Sequence, residues 1–185
     1  MQLPINYLSQ FLDVSDPERR LRSCSITCLA MALRFLNPSE APTIDDLYSE
    51  GEAINALDTD RNWTHVGVVT LARNHGTHAY AEEFRSLRNG EPTEYEARMV
   101  SDGIHKIIDA LDRALPVVVS VPRKGTGSPH AVLVVGYNRE DGLWSGFYVH
   151  DPDAEKKEDG EYRWISRDEF KADWRKMAIF FERLV

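Results

Sequence analysis

His130-Ala131-Val132-Leu133-Val134-Val135-Gly136-Tyr137 and Gly146-Phe147-Tyr148-Val149-His150-Asp151, with the polar segment Asn138 to Ser145 between them, decide the fold. Both runs are apolar, β-branched and aromatic, and the segment NREDGLWS separates them, which predicts two antiparallel strands joined by a turn. Just upstream, Pro116 to Val121 (PVVVSV) is a continuous β-branched run, as suits a strand covered on both faces. Working outward, Ser101 to Leu115 carries Ile104, Ile107, Ile108 and Leu111 on one helical stripe. Met177 to Leu184 predicts a last strand, and Ser166 the N-cap of a short helix before it.

Towards the N-terminus the patterns are helical. Ser25 to Leu36 (SITCLAMALRFL) is rich in helix formers and is stopped by Asn37-Pro38. Thr43 with Asp46 reads as an N-cap and acidic first turn for a helix from Ile44 to about Ala56. Thr64 to Asn74 places Val68, Val69, Leu71 and Ala72 at helical spacing, and a strand is expected from Thr77 to Phe84. Asp13 to Ser23 reads as a polar loop. Helices first and strands after, with few helices between them, indicate an α+β protein whose N-terminal helical part packs on an antiparallel sheet. The expected organisation is one domain over residues 1–185.

The formal net charge is −8 over 185 residues, which argues against an extended phosphate-binding surface. The short patch Arg19, Arg20 and Arg22 reads as a solvated loop, so no nucleic acid is expected as a partner. An acidic surface favours basic or neutral partners. Met1 to Tyr7 lacks the basic and apolar pattern of a signal peptide, and no stretch approaches the roughly 18 apolar residues of a membrane helix. The expectation is a cytoplasmic chain with no membrane partner.

The two cysteines, Cys24 and Cys28, stand one helical turn apart, where disulfide geometry is poor, so both read as free thiols. Cys24 lies where a polar loop gives way to a helix, and a helix N-terminus stabilises a thiolate. Cys28 lies a turn inside, among Leu29, Ala30 and Met31, as a packed neighbour. Each could also be a small core residue, which cysteine often is. His130 opens an otherwise apolar strand, expected at a sheet edge, after Gly125-Thr126-Gly127-Ser128-Pro129. In a hairpin of the two decisive strands, His130 and Asp151 become opposite or diagonal neighbours on one face. A carboxylate there would orient the imidazole as the third member of a triad. His150 has the opposite parity and should face away. Pairing Cys24 and Cys28 with His75 and His78 as a zinc site would need about three times the spacing of a zinc finger, so no metal is expected. Neither a glycine-rich phosphate loop nor a nucleophilic-serine elbow is present, and no cofactor is implied. Trp63, Trp144, Trp164 and Trp174 read as core, with any one able to line a cleft.

Three blocks together resemble a known family. They are Asn6-Tyr7-Leu8-Ser9-Gln10 leading to Cys24-Ser25-Ile26-Thr27-Cys28-Leu29-Ala30-Met31, then Pro129-His130-Ala131-Val132-Leu133-Val134-Val135-Gly136-Tyr137, then Tyr148-Val149-His150-Asp151-Pro152. The chain is similar to the papain-like cysteine peptidases named for enzymes that remove double-glycine leaders from bacteriocins, in a stand-alone, bacterial or phage form. The resemblance implies a papain-like fold, with Cys24 as nucleophile, His130 as general base and Asp151 as the residue orienting it. It also assigns Gln10, whose amide would join the Cys24 N–H in an oxyanion hole. Many members have glycine directly after the cysteine, where this chain has Ser25. The implied activity is hydrolysis of a peptide or amide substrate. The alternatives are an inactive papain-like binding module, which would have no need of all four residues, and a thiol acyltransferase. An added amine would separate the transferase from a hydrolase.

Overall fold

The computed structural model describes residues 1–85 and 94–183. Helices α1 (Pro17–Arg20), α2 (Cys24–Leu36), α3 (Ile44–Ala53) and α4 (His65–Asn74) come first, followed by strand β1 (His78–Glu83) and helix α5 (Glu94–Asp112). Strands β2 (Val117–Pro122), β3 (Pro129–Glu140) and β4 (Leu143–His150) follow. The chain ends in α6 (Lys157–Gly160), β5 (Arg163–Ser166), α7 (Arg167–Asp173) and β6 (Met177–Glu182). The six strands form one sheet in the order β1-β6-β2-β3-β4-β5, with every neighbouring pair antiparallel.

The sheet confirms the α+β reading and corrects some details. The turn between the decisive strands is not eight residues long. β3 and β4 run on to a two-residue connection, Asp141-Gly142, where φ is 50° and 79°. Asp-Gly accepts the left-handed conformation that such a tight turn requires at both positions, and its backbone twist matches the flanking strands. His130 does not lie on an edge strand, because β3 is flanked by β2 and β4; it stands at the N-terminal end of an interior strand. The short helix α1 interrupts the expected loop, capped by the Asp16 side chain on the Glu18 N–H. β5 and α6 were not anticipated from the sequence. The end of the last expected strand, Leu184, lies outside the described residues.

β2 and the His130–Tyr137 part of β3 are almost wholly buried, as continuous β-branched runs demand, and α2 lies against β3. Every residue of α2 from Ile26 to Leu33 is buried, so apolar burial adds to strong intrinsic propensity there. The Thr43–Asp46 capping box is formed in both directions and starts α3. The N-terminal segment also enters the core: the Leu3 N–H donates to the Val135 carbonyl at 2.7 Å, and the Tyr137 N–H to that of Met1 at 3.0 Å. A Cβ at Gly136 would overlap the Met1 carbonyl, which explains glycine there.

Candidate active site

Cys24 is the first residue of α2 and is partly exposed. The preceding Ser23 does not cap the helix, because its hydroxyl donates to the Arg19 carbonyl at 2.7 Å. The first turn of α2 therefore keeps its positive field at the thiol. His130 is 4% exposed. Its Nε2 lies 2.7 Å from Asp151 Oδ1, while its Nδ1 is buried and makes no regular hydrogen bond. The ring and the Cys24 thiol interact directly, each shifting the other's protonation. Of the two alternatives for His130 and Asp151, the diagonal one is observed. β3 pairs Leu133 with His150, which sets Asp151 two residues along from His130 on the same face.

Asp151 lies just past β4 and has further partners. Its Oδ1 accepts the Asp153 N–H at 3.1 Å, and its Oδ2 lies 3.4 Å from the Arg163 guanidinium. Burial pushes the Asp151 carboxyl up, but the His130 bond, the His130 charge and Arg163 outweigh it and hold the acid below its ordinary range. Burial likewise pushes His130 down, yet the hydrogen bond that it donates to Asp151 and the interaction with Cys24 raise it to about 9. Burial pushes the Cys24 thiol up, and His130, the Ala131 backbone and the Arg123 charge together bring it below its ordinary value. The shifts of Cys24 and His130 both act toward a thiolate beside an imidazolium. Cys28 behaves oppositely: it is fully buried, its Sγ contacts the Ala131 carbonyl at 3.6 Å, and burial raises its pKa well above normal.

Gln10 is fully buried against the loop that carries Asp151. Its backbone N–H donates to the Pro152 carbonyl at 2.9 Å, its Nε2 to Asp153 Oδ1 at 2.8 Å, and its Oε1 is buried without a partner. Sequence reasoning missed Asp153 and Arg163, which orient Gln10 and Asp151. Asp153 had one local signal, its place two residues after Asp151 in a turn. Arg163 had none, because β5 was not recognised.

The other histidines are placed elsewhere. His150 faces away from His130 and Asp151 as its parity predicts, bonded to the Ile5 carbonyl at 2.8 Å and the Tyr162 N–H at 3.1 Å. His75 and His78 pair with Glu50 and Glu182, each at 2.7 Å, so neither joins the cysteines. Among the described residues no group of three or more His, Cys, Asp and Glu could hold a metal ion. Cys24 and His130 open on a cleft of about 620 Å³ whose walls come from the α1–α2 loop, the segment Asp58–Val68, the β2–β3 loop and the start of β6. Of the four tryptophans, Trp63 lines this cleft and Trp174 is core, whereas Trp164 is 38% exposed, against expectation. A separate groove of about 690 Å³ between α5, the β3–β4 hairpin and α7 contains none of these catalytic candidates.

A model of the Peptidase_C39 like family matches residues 2–179. Among solved structures, the chain is similar to the peptidase domain of Streptococcus ComA, a bi-functional ABC transporter involved in a quorum-sensing pathway. The TM-score there is 0.59 and the identity 17%, over 89% of this chain and 93% of that one. It is also similar to a double glycine motif protease from an AMS/PCAT transporter, solved in complex with its leader peptide, at TM-score 0.58 and 13% identity over 99% and 94%. UfSP from C. elegans matches at TM-score 0.61 and 12% identity, over 97% of this chain but 33% of that one. At these identities the likeness is one of fold, and the fold is papain-like. No curated protein sequence matches the chain. Among the described residues no helix is long and apolar enough to cross a membrane.

Proposed function

The chain belongs to the Peptidase_C39 like family, and on that premise we propose that it is a cysteine peptidase or amidase in which Cys24, His130, Asp151 and Gln10 do the chemistry. The observation that carries this reading is the hydrogen-bonded line from Asp151 to His130 Nε2 at 2.7 Å, with Nδ1 of the same ring left for Cys24 at the start of α2. Such a line fixes the tautomer and orientation of the imidazole and favours the thiolate–imidazolium pair.

The reaction is acyl transfer in two halves. The Cys24 thiolate adds to the carbonyl carbon of a peptide or amide, and the carbonyl electrons move to oxygen. The Cys24 N–H, free at the helix N-terminus, and the second amide hydrogen of Gln10 stabilise that oxyanion. Asp153 holds the first amide hydrogen of Gln10, which sets the direction of the second. As the C–N bond breaks, the proton on His130 passes to the leaving amine and a thioester remains on Cys24. Neutral His130 then takes a proton from water, the hydroxide adds to the thioester, and the acid product leaves as the thiolate and imidazolium return. Throughout, Asp151 stays ionised and offsets the imidazolium charge.

The test is the rate of iodoacetamide labelling of Cys24 against pH, located by mass spectrometry, for the native protein and His130→Ala. The expected result is fast labelling at neutral pH, slowed at least about tenfold in the variant, as the thiol returns toward an ordinary pKa of about 8.5. Cleavage of a peptide mixture by the native protein and not by Cys24→Ala extends the test to activity. Slow labelling that the His130 variant leaves unchanged would sink the proposal.

A further inference from the structure

We propose that the cleft at Cys24 selects an acidic substrate, a peptide with carboxylates close to the bond that is cut. This inference rests on the cysteine-hydrolase reading of the same cleft and adds a substrate class to it. Its starting point is a local reversal of charge. The whole chain carries −8, yet five arginines line the cleft (Arg22, Arg61, Arg85, Arg123 and Arg175) against two carboxylates, Asp58 and Glu83.

The partners of these groups sharpen the contrast. Asp58 already accepts the N–H groups of Asp60 at 2.9 Å and Asn62 at 2.8 Å, and Glu83 is paired with Arg85 at 2.7 Å. Arg61 is paired with Glu52 at 2.6 Å. Arg22 and Arg175 remain, while Arg123 is shared with Asp153 at the edge of the cleft. Arg22 donates to the Asp60 carbonyl at 2.7 Å, a neutral acceptor, although its charge also reaches Asp58. Among the described residues, neither Arg22 nor Arg175 has a carboxylate within ion-pair distance. Arg123 donates to the Leu21 carbonyl at 3.2 Å, lies 3.5 Å from Asp153 through Nε, and favours the Cys24 thiolate.

Arg22, Arg123 and Arg175 come from three separate segments, before α2, after β2 and before β6, and line the same cleft as Cys24. A concave surface of one sign focuses the field and raises the local concentration of oppositely charged ligands. Each guanidinium also offers a planar pair of donors that suits a carboxylate. A substrate with acidic side chains beside the scissile bond would supply the counter-charges that Arg22 and Arg175 lack among the described residues. A basic peptide would meet repulsion there, despite the acidity of the chain as a whole.

The test uses two small probes of Cys24, neutral iodoacetamide and anionic iodoacetate, and reads the ratio of their rates relative to the same ratio for 2-mercaptoethanol. Two unit charges, taken to act at about 8 Å through water, raise that ratio roughly fivefold at low ionic strength. Added salt, at about 0.5 M, brings it back toward one. Protonated His130 attracts iodoacetate under either view, so the deciding arm is the double variant Arg22→Gln, Arg175→Gln, which is expected to lower the ratio at least about twofold. Both side chains are exposed, and the salt series on the native protein gives a second reading that needs no variant. A ratio unchanged in the variant, with iodoacetamide still fast, overturns the acidic-substrate inference and leaves the hydrolase reading standing. Slow iodoacetamide labelling in the native protein overturns the hydrolase reading beneath it.

Discussion

Replacing Asp151 by Asn keeps the shape of the side chain and removes its charge from His130. The structure sets the size of the effect. His130 is held up to about 9, against an ordinary value near 6.5, even though burial pushes it the other way. That difference corresponds to about 3 kcal/mol in favour of the imidazolium. Asp151 at 2.7 Å is its foremost raising influence and Cys24 the second. Assigning roughly half to the carboxylate predicts a fall of about one to two units in the His130 pKa of Asp151→Asn. The assay is the pH dependence of iodoacetamide labelling at Cys24. In the native protein the ion pair gives a plateau that begins below the ordinary thiol pKa and ends near 9, where His130 loses its proton. In Asp151→Asn the upper end of that plateau should move to about 7–8, and the lower end should rise as the thiolate loses part of its partner. Arg163 loses its acceptor in this variant, so a thermal melt must accompany the profile to show that the fold persists. A folded variant whose plateau still ends near 9 would refute the claim that Asp151 governs the pair.

Cys28, fully buried with a raised thiol pKa, should stay unlabelled in the native protein through neutral pH and react only on unfolding, which mass spectrometry of the same samples reads directly. Gly160→Ala should destabilise the protein by about 1–3 kcal/mol in denaturant titrations, since a Cβ there would overlap Tyr7 Oη and the Asp151 carbonyl; labelling of Cys24 should change with it. Thr43→Ala removes the capping box of α3 and should cost about 1 kcal/mol with no change in Cys24 labelling. The folded-state pKa of Asp151 is depressed, so its contribution to stability is present above about pH 4 and is lost as the pH falls through the depressed value. The stability gap between native protein and Asp151→Asn should therefore narrow in acid, as chemical denaturation at several pH values would detect.

The sequence was most legible where one signal repeated over many residues. The β-branched runs at Val117–Val121 and His130–Val135, the apolar block Ile26–Leu33 and the Thr43–Asp46 cap all became the expected elements. The pairing of His130 with Asp151 was also legible, because a hairpin that aligns the ends of the two strands puts both on one face. What escaped was set by tertiary contact. β5 has four residues with one buried side chain, too short for a pattern, and it carries the arginine that reaches Asp151. The extent of the hairpin does not show in hydrophobicity, because polar residues continue the ladder as far as Asp141-Gly142, where hydrogen bonding holds the strands. The charge of the cleft was invisible for a similar reason: its arginines lie far apart in the chain, and net charge averages over the surface that they leave behind.

The segment Tyr7 to Gln10 joins the two parts of the proposed site. Cys24 rides on α2, whereas Asp151 sits in the loop after β4, and this segment bonds to both. Tyr7 Oη donates to the Asp151 carbonyl at 2.7 Å, the Gln10 N–H to that of Pro152 at 2.9 Å, and Ser9 Oγ to that of Ala154 at 2.6 Å. On the other side, the Leu8 N–H meets Met31 Sδ of α2 at 3.2 Å. The gap between α2 and the Asp151 loop is thus spanned by four consecutive residues, Leu8 bonded to the helix and Tyr7, Ser9 and Gln10 to the loop. Buried polar bonds of this kind cost most when one partner is lost, since the other remains desolvated and unpaired. The segment therefore holds the loop in a single position relative to the thiol. Gln10, at its end, is delivered to Asp153 by the same anchoring that sets Asp151 against His130, so the orientation of its amide and the orientation of the imidazole are fixed by one structure rather than two.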